Sequence, residues 1–208
     1  MKTYDYEQGS DEWHKVRLGI PTASEFDKIL TGTGKPSTQA NAYINKLLAE
    51  VITGKPVSTF QKTDAMERGN ELEQEAADYY SMLNDVELEK TGFCTDDAGL
   101  YGCSPDRLIG EEGLLEIKCP LAHTHVEYLL SGKMDTGYIP QVQGQLLVTG
   151  RKWCDFMSYH PDMPPMIVRI ERNEQYISSL QQELIDVARK IADRKAALID
   201  KGILDEAN

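Results

Sequence analysis

Long apolar runs are missing from this chain. No stretch reaches the roughly 18 consecutive apolar residues of a membrane-spanning helix, and the opening segment through Trp13 has no apolar core of the secretory kind. Both absences predict a cytoplasmic protein with no membrane partner. Cysteine is scarce too. Cys94, Cys103, Cys119 and Cys154 form no C-x-x-C pair, which argues against a zinc ribbon, and without secretion a disulfide framework is equally disfavoured. They read as small buried apolar residues, with no zinc or iron–sulfur site assigned. Positive charge is in the minority, 22 Lys and Arg against 34 Asp and Glu, for a net charge of −12. This excludes a protein that coats polyanions with its whole surface, though not one with a local basic groove. No internal repeat, low-complexity tract or Pro/Ser-rich linker divides the 208 residues. Residues 1–208 therefore read as a single domain, whose 40% apolar content suffices for a core.

Two further motifs are weak. The loop Thr31–Pro36 holds Gly32 and Gly34 but lacks Walker spacing and a preceding strand, so it reads as a plain loop. His14, His123, His125 and His160 fit no zinc spacing and read as solvated or loosely packed.

Periodicity supplies the elements. Two short helices are expected over 10–30, the second opened by a capping box of Thr22 and Glu25. Ile44, Leu47, Leu48 and Val51 mark a helix that Gly54 and Pro56 stop. Another spans about 64–83, with Asp64 and Glu67 as a capping pair. On it Met66, Gly69, Glu73, Ala76, Ala77 and Tyr80 share one stripe, which places Glu73 on the face turned to the core. The period then changes to that of strands near 86–90, 92–94, 100–103 and 114–119, read as a meander in one sheet. Helices at about 123–132 and 138–149, strands near 153–159 and 166–171, and an amphipathic helix at about 174–200 follow. The order predicts an α/β (α+β) fold with a central mixed β-sheet flanked by helices.

The informative segment runs from Pro105-Asp106 to Glu116-Ile117-Lys118 across the turn Gly110-Glu111-Glu112-Gly113. In a strand Glu116 and Lys118 project from one face and Ile117 from the other. Two carboxylates with a backbone oxygen suit a hard cation such as Mg²⁺. A lysine beside them can orient or deprotonate the attacking water and help neutralise a pentacovalent phosphorane, which points to phosphodiester hydrolysis. With Glu73, three acids are available to converge on one cation or two. The turn residues Glu111 and Glu112 read as solvated.

Taken together, Gln8 to Gly19, Thr22 to Glu25, Cys103 to Asp106, Leu115 to Pro120 and Gln141 to Gln143 resemble, in order, the segments of the PD-(D/E)xK nucleases. Within them they are most similar to phage recombination exonucleases of the lambda exonuclease (YqaJ) type, over about residues 7–175. The resemblance implies a restriction-endonuclease-like core. It also implies that Asp106, Glu116 and the backbone carbonyl of Ile117 bind metal and that Lys118 activates water. Glu73 would assist a second metal or its waters, and Gln141 would hold the nucleophilic water. Arg17, Ser24 and Ser104 match positions that grip a 5′-phosphate at a DNA end. Trp13, four residues from Arg17, reads as core packing.

The activity so implied is a Mg²⁺-dependent exonuclease, with Mn²⁺ as a substitute ion. It would resect linear double-stranded DNA 5′ to 3′ to 5′-mononucleotides, leaving a 3′ single strand for recombination. A homotrimeric ring and a single-strand annealing partner, in the cytoplasm of a bacterial host, are implied with it. The rivals are a DNA-end-binding module without activity, disfavoured by the complete set of acids and lysine, and an endonuclease of the same superfamily.

Overall fold

The computed structural model describes residues 1–57 and 64–205, and of residues 64–67 and 70 the backbone alone. The Asp64–Glu67 cap and Met66 therefore lie outside the described side chains. The chain runs β1 (Lys2–Tyr4), α1 (Asp11–Val16), a 3₁₀ helix (Ala23–Lys28), α2 (Ala40–Thr53), α3 (Asp64–Asn84), β2 (Leu88–Glu89), β3 (Phe93–Thr95) and β4 (Gly102–Cys103). It continues through β5 (Arg107–Ile109), β6 (Gly113–Lys118), α4 (Ala122–Ser131), a 3₁₀ turn (Thr136–Tyr138), α5 (Ile139–Thr149), β7 (Trp153–His160), β8 (Met163–Glu171) and α6 (Glu174–Asp200). Among the described residues no helix is long and apolar enough to cross a membrane.

The expected mixed sheet is present, five strands in the order β2-β5-β6-β7-β8. Only β6 and β7 are parallel, and the crossover between them carries α4 and α5. The expectation of one meander fails. β3 and β4 leave the main sheet and join β1 in a separate three-stranded sheet, β1-β3-β4. These strands are only two or three residues long, too short for alternation to reveal which sheet they join.

Helices cover both faces of β6. Leu114 packs with Val142 and Leu146 of α5, while Leu115 and Ile117 pack with Ala76, Ala77 and Tyr80 of α3. Each such fully buried leucine contributes about 1.5–3 kcal/mol. This explains why the strand reads GLLEIK rather than as strict alternation: a strand covered on both faces becomes nearly continuous in apolar residues. Glu116, on the α5 side, is buried as completely as its apolar neighbours.

Helix α5 is the hub. Pro140 sits in its first turn and its C-cap, Gly150, has φ 70°, the left-handed geometry that closes a helix cheaply only with glycine. Gly144 lets the ring of Phe26, from the first 3₁₀ helix, lie directly on the α5 backbone. That 3₁₀ helix corrects the sequence expectation of an α-helix with a capping box. Thr22 makes no side-chain cap, and Glu25 instead pairs with Lys28 and Lys46. Burial alone would raise the Glu25 pKa, but its hydrogen bonds from the two lysines hold it below the usual range.

Three cysteines are buried and Cys119 partly so, all as free thiols. His125, expected to be loosely packed, is fully buried. Its ring nitrogens lie 2.8 Å from Ser158 Oγ and 3.0 Å from the Pro164 carbonyl, which ties α4 to the sheet.

Candidate active site

The hairpin of β5 and β6 brings Asp106, just before one strand, beside the end of the other. The Ile117 N–H donates to Asp106 Oδ2 at 2.7 Å, fixing that carboxylate against the strand that carries Glu116 and Lys118. Lys118 Nζ donates to Glu116 Oε1 at 2.5 Å, a contact made within one face of the strand as the alternation required. From α5, Gln141 Nε2 donates to the same oxygen at 2.6 Å and Gln145 Nε2 to Oε2 at 2.7 Å.

A buried carboxylate needs this many donors, because unpaired charge out of water is costly. Gln145 was not singled out from the sequence. It lies one helical turn beyond Gln141 and so on the same face, and that spacing was the available signal.

The electrostatics follow from this crowding. Burial and then the nearby Glu116 push the Asp106 carboxyl well above the usual carboxylate range. Burial disfavours the Lys118 ammonium, yet Glu116 and Asp106 outweigh it and raise its pKa, so the lysine stays charged. The ammonium lies 5.1 Å from the centre of the Tyr138 ring.

Glu73 is placed differently. Its Oε1 accepts from Arg107 Nη1 at 2.7 Å, and the same guanidinium donates to the Asp106 carbonyl at 2.5 Å and to Gln74 Oε1 at 3.0 Å. Arg107 is buried, adjacent in sequence to Asp106, and went unnoticed in the sequence. It links the helical acid to the backbone of Asp106 while occupying the acid's own oxygen. Among the described residues no three His, Cys, Asp or Glu side chains form a ready-made metal cage.

The second group of sequence candidates also comes together. Arg17 Nη2 donates to Thr22 Oγ1 at 3.3 Å, and Thr22 Oγ1 lies 3.4 Å from Ser24 Oγ. Trp13 Nε1 donates to Ser104 Oγ at 3.0 Å while its ring carries the Arg17 guanidinium 3.5 Å from its centre. Trp13 is thus half-buried and joins Arg17 to Ser104, where the sequence suggested core packing only. Burial pushes the Arg17 pKa down to about 10, still well above neutrality. Backbone pairing of Thr22 with Gly102 brings the 3₁₀ helix beside the segment leading to Ser104.

A cleft of about 350 Å³ is lined by Ser24 of the first 3₁₀ helix, Tyr138 of the second and Gln141 of α5.

Fold and site together define a mixed α/β protein of the alkaline-exonuclease fold. The chain belongs to the YqaJ-like viral recombinase domain family, which matches residues 12–152. It is similar to the crystal structure of an alkaline exonuclease from Laribacter hongkongensis, at 33% identity and a TM-score of 0.84, covering 93% of this chain and 98% of that one. A second structure of that enzyme, in complex with dAMP, matches at 34% identity and a TM-score of 0.83, with the same shares covered. A phage-related exonuclease from Haemophilus somnus shares the fold at 17% identity and a TM-score of 0.68, covering 86% of this chain and 96% of that one. The uncharacterized protein R354 of Acanthamoeba polyphaga mimivirus is 30% identical over 177 residues, 75% of this chain. The chain spans 30% of the length of that viral relative.

Proposed function

We propose that the protein is a Mg²⁺-dependent exonuclease that digests linear double-stranded DNA from a phosphorylated 5′ end, releasing 5′-mononucleotides and leaving a 3′ single strand. The observation that carries this reading is the meeting of Asp106, Glu116 and Lys118 at one strand end, in a fold that also gathers Arg17, Trp13, Ser24 and Ser104 into a second polar group. Membership of the recombinase family and likeness to an alkaline exonuclease support it.

The donor set fits a hard divalent cation. Two carboxylates crowd together where the single nearby ammonium donates to Glu116, a divalent cation would relieve that crowding, and oxygens are the ligands Mg²⁺ prefers. Asp106, Glu116 and the carbonyl of Ile117 would hold it, with Glu73 reaching a second ion or its waters once released from Arg107. When bound, the cation supplies Lewis acidity toward the phosphodiester and the attacking water. Gln141 would turn its amide from Glu116 to that water. Lys118, held as an ammonium, orients the water and offsets charge that develops on the phosphorus oxygens. Arg17, with the two serine hydroxyls, anchors the terminal phosphate and so sets the direction of digestion. Assembly as a ring of three and hand-over of the 3′ strand to a single-strand annealing protein in a bacterial cytoplasm complete the proposal.

The test is degradation of linear duplex, closed circular duplex and single-stranded DNA, with and without Mg²⁺, by the wild type and Lys118→Ala. The wild type should digest the linear duplex only with Mg²⁺ or Mn²⁺. Lys118→Ala should lose cleavage by at least about 10²-fold while calorimetry still detects divalent-metal binding. Ca²⁺ should bind without supporting efficient hydrolysis. A wild type that binds DNA ends and cleaves nothing would replace this reading with the end-binding module.

A further inference from the structure

Arg107 opens β5 one residue after Asp106, and only 5% of its side chain is exposed. Its guanidinium reaches two consecutive residues of α3. Nη1 donates to Glu73 Oε1 at 2.7 Å and Nη2 to Gln74 Oε1 at 3.0 Å, while Nη1 also donates to the Asp106 carbonyl at 2.5 Å. One planar fork therefore spans the helical acid and the backbone of the strand acid. The pair with Glu73 is lopsided: the carboxylate is 31% exposed, so ions in solution reach it, whereas the guanidinium is sealed from them. Glu73 also stands close to Asp106. After burial and Glu116, its charge adds to the upward push on the Asp106 carboxyl.

We propose that Arg107 is a positioning residue that serves as a resident cation: it holds Glu73 in reserve, and a second divalent ion binds only by taking Glu73 from it. The proposal rests on the reading of Asp106, Glu116 and Glu73 as metal ligands. A guanidinium and a divalent cation compete for the same carboxylate oxygen, so each weakens the hold of the other, a coupling that is reciprocal by necessity. The first ion, on Asp106 and Glu116, is spared this competition because Arg107 touches the backbone of Asp106 and not its carboxylate. Two ions therefore bind in order, the second at a higher concentration than the first. Release is feasible because the clamp is shared. A guanidinium that gives up Glu73 keeps its bonds to the Asp106 carbonyl and to Gln74, so it is not left as a bare buried charge, which would be prohibitive. Those same bonds keep it poised to recapture Glu73 when the ion leaves.

The experiment titrates the full chain with Mn²⁺ alone, without DNA, counting bound ions by electron paramagnetic resonance and reading affinities by calorimetry. The wild type should bind one ion tightly and a second at least about ten-fold more weakly, and Glu73→Gln should lose the second only. Arg107→Gln should tighten the second ion by about ten-fold, the low end of what a charged hydrogen bond contributes, and leave the first nearly unchanged. In the double variant Arg107→Gln, Glu73→Gln the second ion should be lost as in Glu73→Gln alone, so the gain depends on the freed acid. Gln74→Ala, which loosens the clamp from the exposed side of α3 and leaves every ligand in place, should shift the second ion the same way by about two-fold. It decides the matter if Arg107→Gln does not fold. A second ion that is unchanged or weaker in these variants makes Arg107 a structural tie and overturns the proposal. Equal tightening of both ions overturns it too, since loss of any nearby positive charge would do that. A wild type that binds no Mn²⁺, or an Asp106→Asn variant that keeps the tight ion, overturns the metal reading itself.

Discussion

Arg17, the proposed anchor of the terminal phosphate, is a charge with little compensation around it. Its guanidinium is stacked on Trp13, gives one hydrogen bond to Thr22, and among the described residues has no carboxylate within ion-pair distance. Partial burial with so little compensation leaves a charge that gains most from a dianionic partner, and a terminal phosphate offers more charge and more oxygens than an internal diester. Arg17→Ala should therefore slow digestion of 5′-phosphorylated duplex by roughly one to two orders of magnitude, from charged hydrogen bonds of about 1.5–3 kcal/mol. Digestion of 5′-hydroxyl duplex should change much less. Initial rates on both ends at one salt concentration make the check, and equal losses would reassign Arg17 to general DNA contact or to folding. At this scale the sequence was legible where chemistry and strand alternation coincide, as at Asp106, Glu116 and Lys118. It was silent on Arg107 and read Trp13 as core packing alone. Their partners Glu73 and Ser104 are distant in sequence, and neither residue type signals by itself which way it turns.

Elements were legible in proportion to their length. The 27 residues of α6 show amphipathic spacing throughout and follow the expected bounds, whereas the two-residue β4 offers no periodicity at all. The contact of α5 with the first 3₁₀ helix was invisible for a different reason: it depends on a side chain that is absent. A Cβ on Gly144 would lie 2.3 Å from Phe26 Cδ2, and Phe26 is fully buried, so the ring has little room to yield. Alanine would add about 1 kcal/mol of helix propensity. Overpacking of about 1–3 kcal/mol opposes it. Gly144→Ala should accordingly lower the melting temperature by a few degrees and, by pushing Ser24 away from Gln141, reduce digestion as well. A variant at least as stable as wild type would mean that Phe26 moves aside freely.

For the whole molecule the question is how a chain with a net charge of −12 acts on a polyanion. Spread over an exterior, that charge weakens casual attachment to DNA, so sustained digestion has to come from another source. In the proposed ring, enclosure would supply it by topology. Sedimentation at micromolar concentration should then give about three subunits, and a single binding event should remove long stretches of a linear duplex. A stable monomer with the same run length would refute enclosure. The parallel pairing of β6 with β7 has one more consequence, for the time at which the site comes into being. Asp106, Glu116 and Lys118 belong to a local hairpin, but the amides that steady Glu116 come from α5, on the crossover, and β7 follows only after it. A chain synthesised at about 5–20 residues per second exposes its acids a second or more before its glutamines. Through that interval the nascent chain would hold the three side chains without the amides that steady Glu116, and the constellation would be completed only when the crossover folds.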